Sequence, residues 1–299
     1  MNIRFENIYF FAMATAMAML GKNFCLALKH PIASLSRAKT TLYAISAQDN
    51  ASNQQIEPLM LKGLTSFANE LADAAGDAIM PYWRQKGVEV ESKKELGRSV
   101  SQTISPVTIA DRSAEMAMRK LIESRFPSHG IYGEEFGEVK VDADFVWVLD
   151  PIDGTKAFIT GKPTWGILIG LLHRGVPVLG VIDQCILKER WVGSIGNPTL
   201  FNGEPVSVAK TSATSLCNST IYCTTPDMFR AGEESKKFEN VRDASLRTLY
   251  GCDCYGYALV ASGFGGKFTR CIGNFCSGGC STTFLWQENS LLMSDEPIL

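Results

Sequence analysis

Apolar residues first fall into a regular pattern between Glu57 and Trp83. There Leu61, Leu64, Phe67, Ala68, Leu71, Ala75 and Ile79 recur at helical spacing. That period predicts one long amphipathic helix. Residues 84–107 break it with polar, β-prone segments. A second helix is predicted over Ala110 to Arg125, with Asp111 near its start, where a carboxylate can cap free amides, and Phe126-Pro127 ending it. Beyond it, Ile131–Tyr132 and Phe145–Leu149 read as short strands. Gly166 to Val192 reads as a meander, with a strand through Ile167, Leu168, Ile169, Leu171 and Leu172, a turn at His173-Arg174-Gly175, then Val176 to Ile182 and Arg190 to Gly193. Tyr250 to Ser262 reads as a helix with a small-residue face. Helices, then strands, then helices again predict a layered α/β architecture.

One strand ends in chemistry. In the run Phe145-Val-Trp-Val-Leu-Asp-Pro-Ile-Asp-Gly-Thr155 an apolar segment delivers Asp150, and a tight turn is expected to bring in Asp153, Gly154 and Thr155. Two carboxylates at the end of a buried strand suit Mg2+, which demands oxygen ligands and binds through one or two carboxylates plus substrate phosphate. The Ile152 carbonyl, turned outward between them, adds a neutral ligand, and Pro151 stiffens the segment. Gly154 allows close approach of a phosphate. Thr155 opens a short helical segment whose amides attract an anion. Gly133-Glu134-Glu135 adds carboxylates from a separate strand, with Glu134 placed to complete a metal site and to hold, with Thr155, an attacking water. Two such ions activate a nucleophile and stabilise the leaving alkoxide of a phosphate ester. Each motif also has a plainer reading. Asp-Pro-x-Asp-Gly is a good turn sequence, Gly-Glu-Glu an ordinary solvated loop, and Asp111 a helix cap. His30, His129 and His173 have no Cys or Ser partner that would make a nucleophile pair.

Ordered recurrence separates these readings. Ser105-Pro-Val-Thr-Ile-Ala-Asp111, then Pro127-Ser-His-Gly-Ile-Tyr-Gly-Glu-Glu135, then Asp150-Pro-Ile-Asp-Gly-Thr155 closely resembles the inositol monophosphatase family, over about Glu57 to Gly263. The resemblance implies a layered αβαβα sugar-phosphatase fold. It implies Glu134, Asp150, Asp153 and the Ile152 carbonyl as Mg2+ ligands, Glu134 and Thr155 as the pair orienting the water, and the Gly154 and Thr155 amides as phosphate holders. Many relatives carry Asp where this chain has Ser105. The segment Tyr250-Gly-Cys-Asp-Cys-Tyr-Gly-Tyr257 looks most like the plant and bacterial histidinol-phosphate phosphatase branch. That likeness implies contact between Asp253 and the substrate; as a sequence feature Asp253 serves equally well as a helix cap. The expected activity is hydrolysis of L-histidinol phosphate in histidine biosynthesis. The alternatives are inositol monophosphate or another sugar phosphate, and an inactive form acting by interaction. A homodimer is implied by resemblance alone.

The chain departs from that pattern after Gly263. Relatives continue with a strand and then a Trp-Asp or Tyr-Asp pair that completes a second metal site. Here no acidic residue occurs from Cys254 to Gln287, and the only later Asp is Asp295. The glycines and cysteines between Gly265 and Cys280 show neither helical nor strand period, so the C-terminal part is expected to be incomplete and 264–299 an atypical tail. Residues 94–103 (KELGRSVSQT) look like a small insertion. The expected organisation is a leader over 1–48, a metal-site domain over 57–195, and the start of a second α/β domain over 196–263.

Composition narrows the rest. With 299 residues, 45% hydrophobic and 20% charged, the chain matches an ordinary globular protein of one large domain or two intimate ones. A net charge of −2 without basic clusters argues against a nucleic-acid surface. Residues 1–48 carry five basic side chains and only Glu6 as an acid, amid abundant Ala, Ser, Thr and Met. This favours an organelle transit peptide over a secretory signal built on Ile8 to Leu20, and the resemblance to plant members implies that the address is the plastid stroma. That apolar run is too short to span a membrane. Nine cysteines form no disulfide framework. The spacing of Cys271, Cys276 and Cys280 fits no usual zinc arrangement.

Overall fold

The computed structural model describes residues 56–85, 90–94, 104–206, 216–229, 231–263, 269–272, 284–287 and 290–293. The leader, most of the 94–103 segment, Cys276, Cys280 and Asp295 lie outside the described residues.

Helix α1 (Pro58–Ile79) begins where the Glu57 carboxylate accepts the Met60 amide and Pro58 needs no hydrogen-bond partner. It gives way to a 3-10 turn at Met80–Tyr82, earlier than the apolar period suggested, because Pro81 cannot continue the ladder. An antiparallel hairpin of β1 (Val90–Lys94) and β2 (Ile104–Thr108) leads into α2 (Ile109–Arg125). There follow β3 (Gly130–Gly133), β4 (Gly137–Val139), β5 (Phe145–Asp153), α3 (Thr155–Ile159), β6 (Gly166–His173), β7 (Val176–Gln184), β8 (Glu189–Ser194), β9 (Leu200–Phe201) and β10 (Glu204–Pro205). Eight strands form one sheet in the order β10-β9-β8-β7-β6-β5-β3-β4. It is antiparallel except where β3 runs parallel to β5.

The second lobe contains β11 (Thr220–Cys223), α4 (Glu233–Ala244), β12 (Arg247–Tyr250), α5 (Asp253–Ala261) and β13 (Thr269–Ile272). Its strands form a parallel sheet in the order β12-β11-β13. A separate hairpin joins β14 (Phe284–Gln287) to β15 (Ser290–Met293). Within 264–299, read from the sequence as an atypical tail, the described residues include three strands. Residues 269–272 pair in register with 220–223, and Ser290–Met293 forms a strand where none was expected before Asp295. A parallel strand is specified by its neighbour's ladder as much as by its own alternation, so periodicity alone did not reveal it.

Alternation along the large sheet explains the layering. Trp147, Leu149, Ile167, Ile169, Leu171, Leu179 and Val181 point to one side, where they pack with Phe67, Leu71 and Ile79 of α1 and with Met118 and Ile122 of α2. Phe67 sits edge-on to Trp147 and Phe126 at 5.5 and 4.9 Å between ring centres. Leu168, Ile182 and Trp191 point to the other side, against Cys254, Tyr257 and Ala258 of α5. Beyond them Ile221 and Cys223 of the small sheet meet Phe238 and Val241 of α4. The order of layers is helix, sheet, helix, sheet, helix, as the resemblance implied.

At the β5 edge His129 stacks between Phe126 and Phe145, 4.6 and 5.0 Å away, and its Nδ1 accepts the Trp147 indole N–H at 3.1 Å. That bond requires an unprotonated Nδ1, and burial holds the His129 pKa below its ordinary value of 6.5. Above about pH 6.5 both folded and unfolded chains carry neutral imidazole and the group contributes nothing. As pH falls below that value the unfolded chain takes up the proton first, so stability drops. Thermal unfolding between pH 7.5 and 5.5 should show a loss in the wild type that is smaller in His129→Gln. An equal loss in both would remove His129 as its source.

Candidate active site

The parallel pairing of β3 and β5 creates the site. Gly133 lies opposite Leu149, and the Glu134 amide donates to the Leu149 carbonyl at 3.2 Å. The β3–β5 ladder ends at this pair, so Glu134 and Asp150 emerge side by side at the carboxyl end of β3, the usual location of a ligand site in an α/β sheet.

Sequence reasoning placed Asp150 and Asp153 across a tight turn. Instead both belong to β5, which continues to Asp153 through a bulge. Asp150 pairs with Leu168 and Asp153 with Gly166, so three steps on β5 answer two on β6. Pro151 lacks an N–H and is tolerated where the ladder is interrupted. Ile152 drops its side chain into the core at 1% exposure, while its carbonyl accepts the Thr155 hydroxyl at 3.1 Å. Gly154 then turns with φ of 87° and α3 begins.

Carboxylates crowd here. Asp150 is 3% exposed, and no N–H donor reaches either of its oxygens. Burial raises its pKa well above the ordinary carboxylate range, and the charges of Glu134, Asp153 and Asp111 raise it further. Burial and the Glu135 charge push Glu134 up to about 8. Asp111, which read as a helix cap, is the third residue of α2, and its charge acts on Asp150 from within the core. Glu135 itself has Arg112 Nε at 3.6 Å.

Asp153 is held by the second lobe. Its Oδ2 accepts the Cys254 amide at 2.7 Å, and the Cys254 thiol bonds to the same carboxyl. These bonds oppose the larger effect of burial, which raises the Asp153 pKa. Gly166, opposite Asp153, leaves room for that sulfur, since a Cβ there would lie 2.8 Å from Cys254 Sγ. Asp253 does not cap α5: the cap position is Cys252, without a side-chain bond. The Asp253 carboxylate instead lies on Gly154, where an added Cβ would be 2.9–3.0 Å from its atoms. Burial and the Asp153 charge raise Asp253 to about 7, opposed by a hydrogen bond with Thr224 and by Lys162 and Lys156.

Thus Glu134, Asp150, Ile152, Asp153, Gly154, Thr155 and Asp253 come together where the ends of β3 and β5 meet the start of α5. Ser105 lies in β2, and its side chain falls outside the described residues. Sequence reasoning missed two contributors. Cys254 fixes Asp153 from the facing lobe. Glu115, wholly buried in α2, accepts the amides of Glu135 and Phe136. The available signal was a Glu one position after Ala114, next to a helix face that otherwise faces the core.

The donors suit a hard divalent cation. All are oxygen, and Asp150 offers two buried oxygens that no N–H donor satisfies. Among the described residues, no three His, Cys, Asp or Glu side chains are grouped closely enough to hold a metal ion by themselves. No helix among them is long and apolar enough to cross a membrane.

Known proteins resemble the chain in sequence and in fold. The model of the inositol monophosphatase family matches residues 60–271. The chain is 48% identical to the chloroplastic bifunctional phosphatase IMPL2 of Arabidopsis thaliana over 229 residues, covering 75% of this chain and 63% of that protein. It is 37% identical to a histidinol-phosphatase from Chlorobaculum parvum over 198 residues, 66% of this chain and 72% of the relative. An inositol monophosphatase structure from Zymomonas mobilis superposes with a TM-score of 0.58 at 38% identity, covering 71% of this chain and 77% of its own. The chain thus spans less than two thirds of the Arabidopsis relative, and its match extends past Gly263 into β13. With β3, β5 and α3 gathering the same ordered motifs at one sheet end, the chain belongs to the inositol monophosphatase family.

Proposed function

We propose that the chain is a Mg2+-dependent phosphomonoesterase whose substrate is L-histidinol phosphate, hydrolysed to L-histidinol and phosphate in histidine biosynthesis in the plastid stroma. The observation that carries the reading is the buried carboxylate cluster around Asp150, whose oxygens meet no N–H donor. In this reading Glu134, Asp150, Asp153 and the Ile152 carbonyl hold Mg2+. The bound ion supplies positive charge for the phosphate oxygens and acidifies a water.

The remaining work falls to the chain. Thr155 donates a hydrogen bond to the Ile152 carbonyl, which leaves the Thr155 oxygen free to accept a hydrogen bond from the attacking water. Glu134, in its ionised form, takes a proton from that water as a general base. The amides of Gly154 and Thr155 hold the phosphate. Asp253, against Gly154 and away from the cap position, receives the cationic end of the substrate. The leader composition and the chloroplastic relative support the plastid address, and the histidinol-phosphatase relative supports the substrate.

The test is phosphate release from L-histidinol phosphate with Mg2+, compared with myo-inositol 1-phosphate. Selective turnover of the first is expected. Asp253→Asn keeps the side chain's shape and should raise KM for histidinol phosphate by about tenfold or more, as for losing one charged contact, while leaving the inositol ester unchanged. Preference for the inositol ester would overturn the substrate assignment. A second reading is favoured by the lack of acidic residues from Cys254 to Gln287: an ion coordinated by fewer carboxylates binds weakly, and turnover is low. Near-zero turnover by folded protein would select it.

A further inference from the structure

We infer that Glu115 is a positioning residue that sets divalent-cation affinity by clamping the turn that carries Glu134; the inference rests on the proposed metal site. Glu115 is an acid placed in the core at 0% exposure, a location carboxylates occupy only when their charge is met. Here it is met on every side. Oε2 accepts the Glu135 amide at 2.7 Å, and Oε1 accepts the Phe136 amide at 3.2 Å and Arg119 Nε at 2.7 Å. Arg119, one helical turn on, also donates through Nη2 to the Gly137 carbonyl. Gly133 closes the other side, since a Cβ there would overlap the Glu115 carboxylate and crowd Arg119.

The clamp therefore grips the chain at 133, 135, 136 and 137, on both sides of Glu134. Glu134 itself makes a backbone bond to Leu149, so its carboxylate is aimed by a turn whose flanking amides end on a single buried side chain. Glu115 touches neither substrate nor ion. Groups that orient ligands in this way change metal affinity by about 10–100-fold when removed.

The experiment uses the whole chain and two variants, Glu115→Gln and the milder Arg119→Lys, with Met118→Ala on the same helix as a control for lost stability alone. The first readout is hydrogen exchange of the 134–136 amides without divalent ions. The second is Mg2+ affinity by calorimetry. The inference expects fast exchange of those amides in Glu115→Gln, with the rest of α2 still protected. It also expects Mg2+ affinity weakened about 10–100-fold, less in Arg119→Lys and unchanged in Met118→Ala. Should Glu115→Gln fail to fold, Arg119→Lys carries the same comparison. Amides that stay protected overturn the inference, as does unchanged Mg2+ affinity with deprotected amides, the metal site surviving in both cases. Absence of Mg2+ binding by the wild type would instead overturn the site reading, and the inference with it.

Discussion

Asp150→Asn is expected to abolish turnover and, at the same time, to make the ion-free protein more stable. Two opposed effects of one charge lead to this result. In the folded chain Asp150 is buried among Glu134, Asp153 and Asp111, and its pKa is raised well above 3.8. A raised carboxyl pKa means that the fold holds the proton more tightly than the unfolded chain does. Below about pH 4 both states are protonated and no penalty exists. As pH rises past that value the unfolded chain ionises first, and the fold loses stability up to neutral pH. Glu134, displaced from 4.5 to about 8, adds a penalty of the same sign. Asparagine removes the charge at nearly constant shape, so a gain of about 2 kcal/mol is expected, a common scale for such buried groups. In a domain of this size that raises the ion-free Tm by roughly 4–8 °C.

Mg2+ is expected to reverse the ranking. It should raise the wild-type Tm and leave Asp150→Asn nearly unmoved, because the ion binds the folded site alone. Turnover in the variant should fall at least about a hundredfold, the share of barrier lowering expected from a lost Lewis-acid position. Thermal unfolding with and without EDTA, followed by Mg2+ addition, checks the two stability points, and phosphate release checks the third. An ion-free variant less stable than wild type would contradict the electrostatic account of the cluster.

Much of this arrangement was legible in the chain because the signals were local. The seven apolar positions from Leu61 to Ile79 all lie on the buried face of α1, and Leu61, Leu64, Phe67, Ala68, Leu71, Ala75 and Ile79 are each at most 6% exposed. The alternation of β6 sorted Ile167 and Ile169 from Leu168 onto opposite sides of the sheet. What stayed hidden depended on partners distant in sequence. The bulge in β5 appears only against the register of β6. Strand β13 exists through its pairing with β11, about fifty positions earlier in the chain. Asp253 adopts φ of 42°, a left-handed conformation no residue pattern announces, and this sends its side chain to Gly154 instead of to its own helix amides. Glu115 resembles one more surface acid on an amphipathic helix until the turn it clamps is folded over it.

The contact between Gly154 and Asp253 supports the second large effect. Gly154→Ala places a side chain at φ of 87°, where L-residues are strained, and drives its Cβ to 2.9–3.0 Å from the Asp253 carboxylate. The backbone part should cost about 1 kcal/mol, and the collision a further 1–3 kcal/mol or so, as overpacking does. Asp253 begins α5, and the next residue's amide anchors Asp153, so yielding at this contact shifts a proposed ligand as well as the substrate pocket. Turnover should fall about a hundredfold or more, the usual result of moving reacting groups by about an ångström. A double-mutant cycle separates the two parts. Asp253→Gly removes the colliding carboxylate and accepts the left-handed backbone without strain. In that background Gly154→Ala should cost only the backbone part, giving a coupling of about 1–3 kcal/mol in denaturant unfolding. Additive costs would show that the two lobes do not meet at this point, and would remove the physical basis for placing Asp253 beside the phosphate.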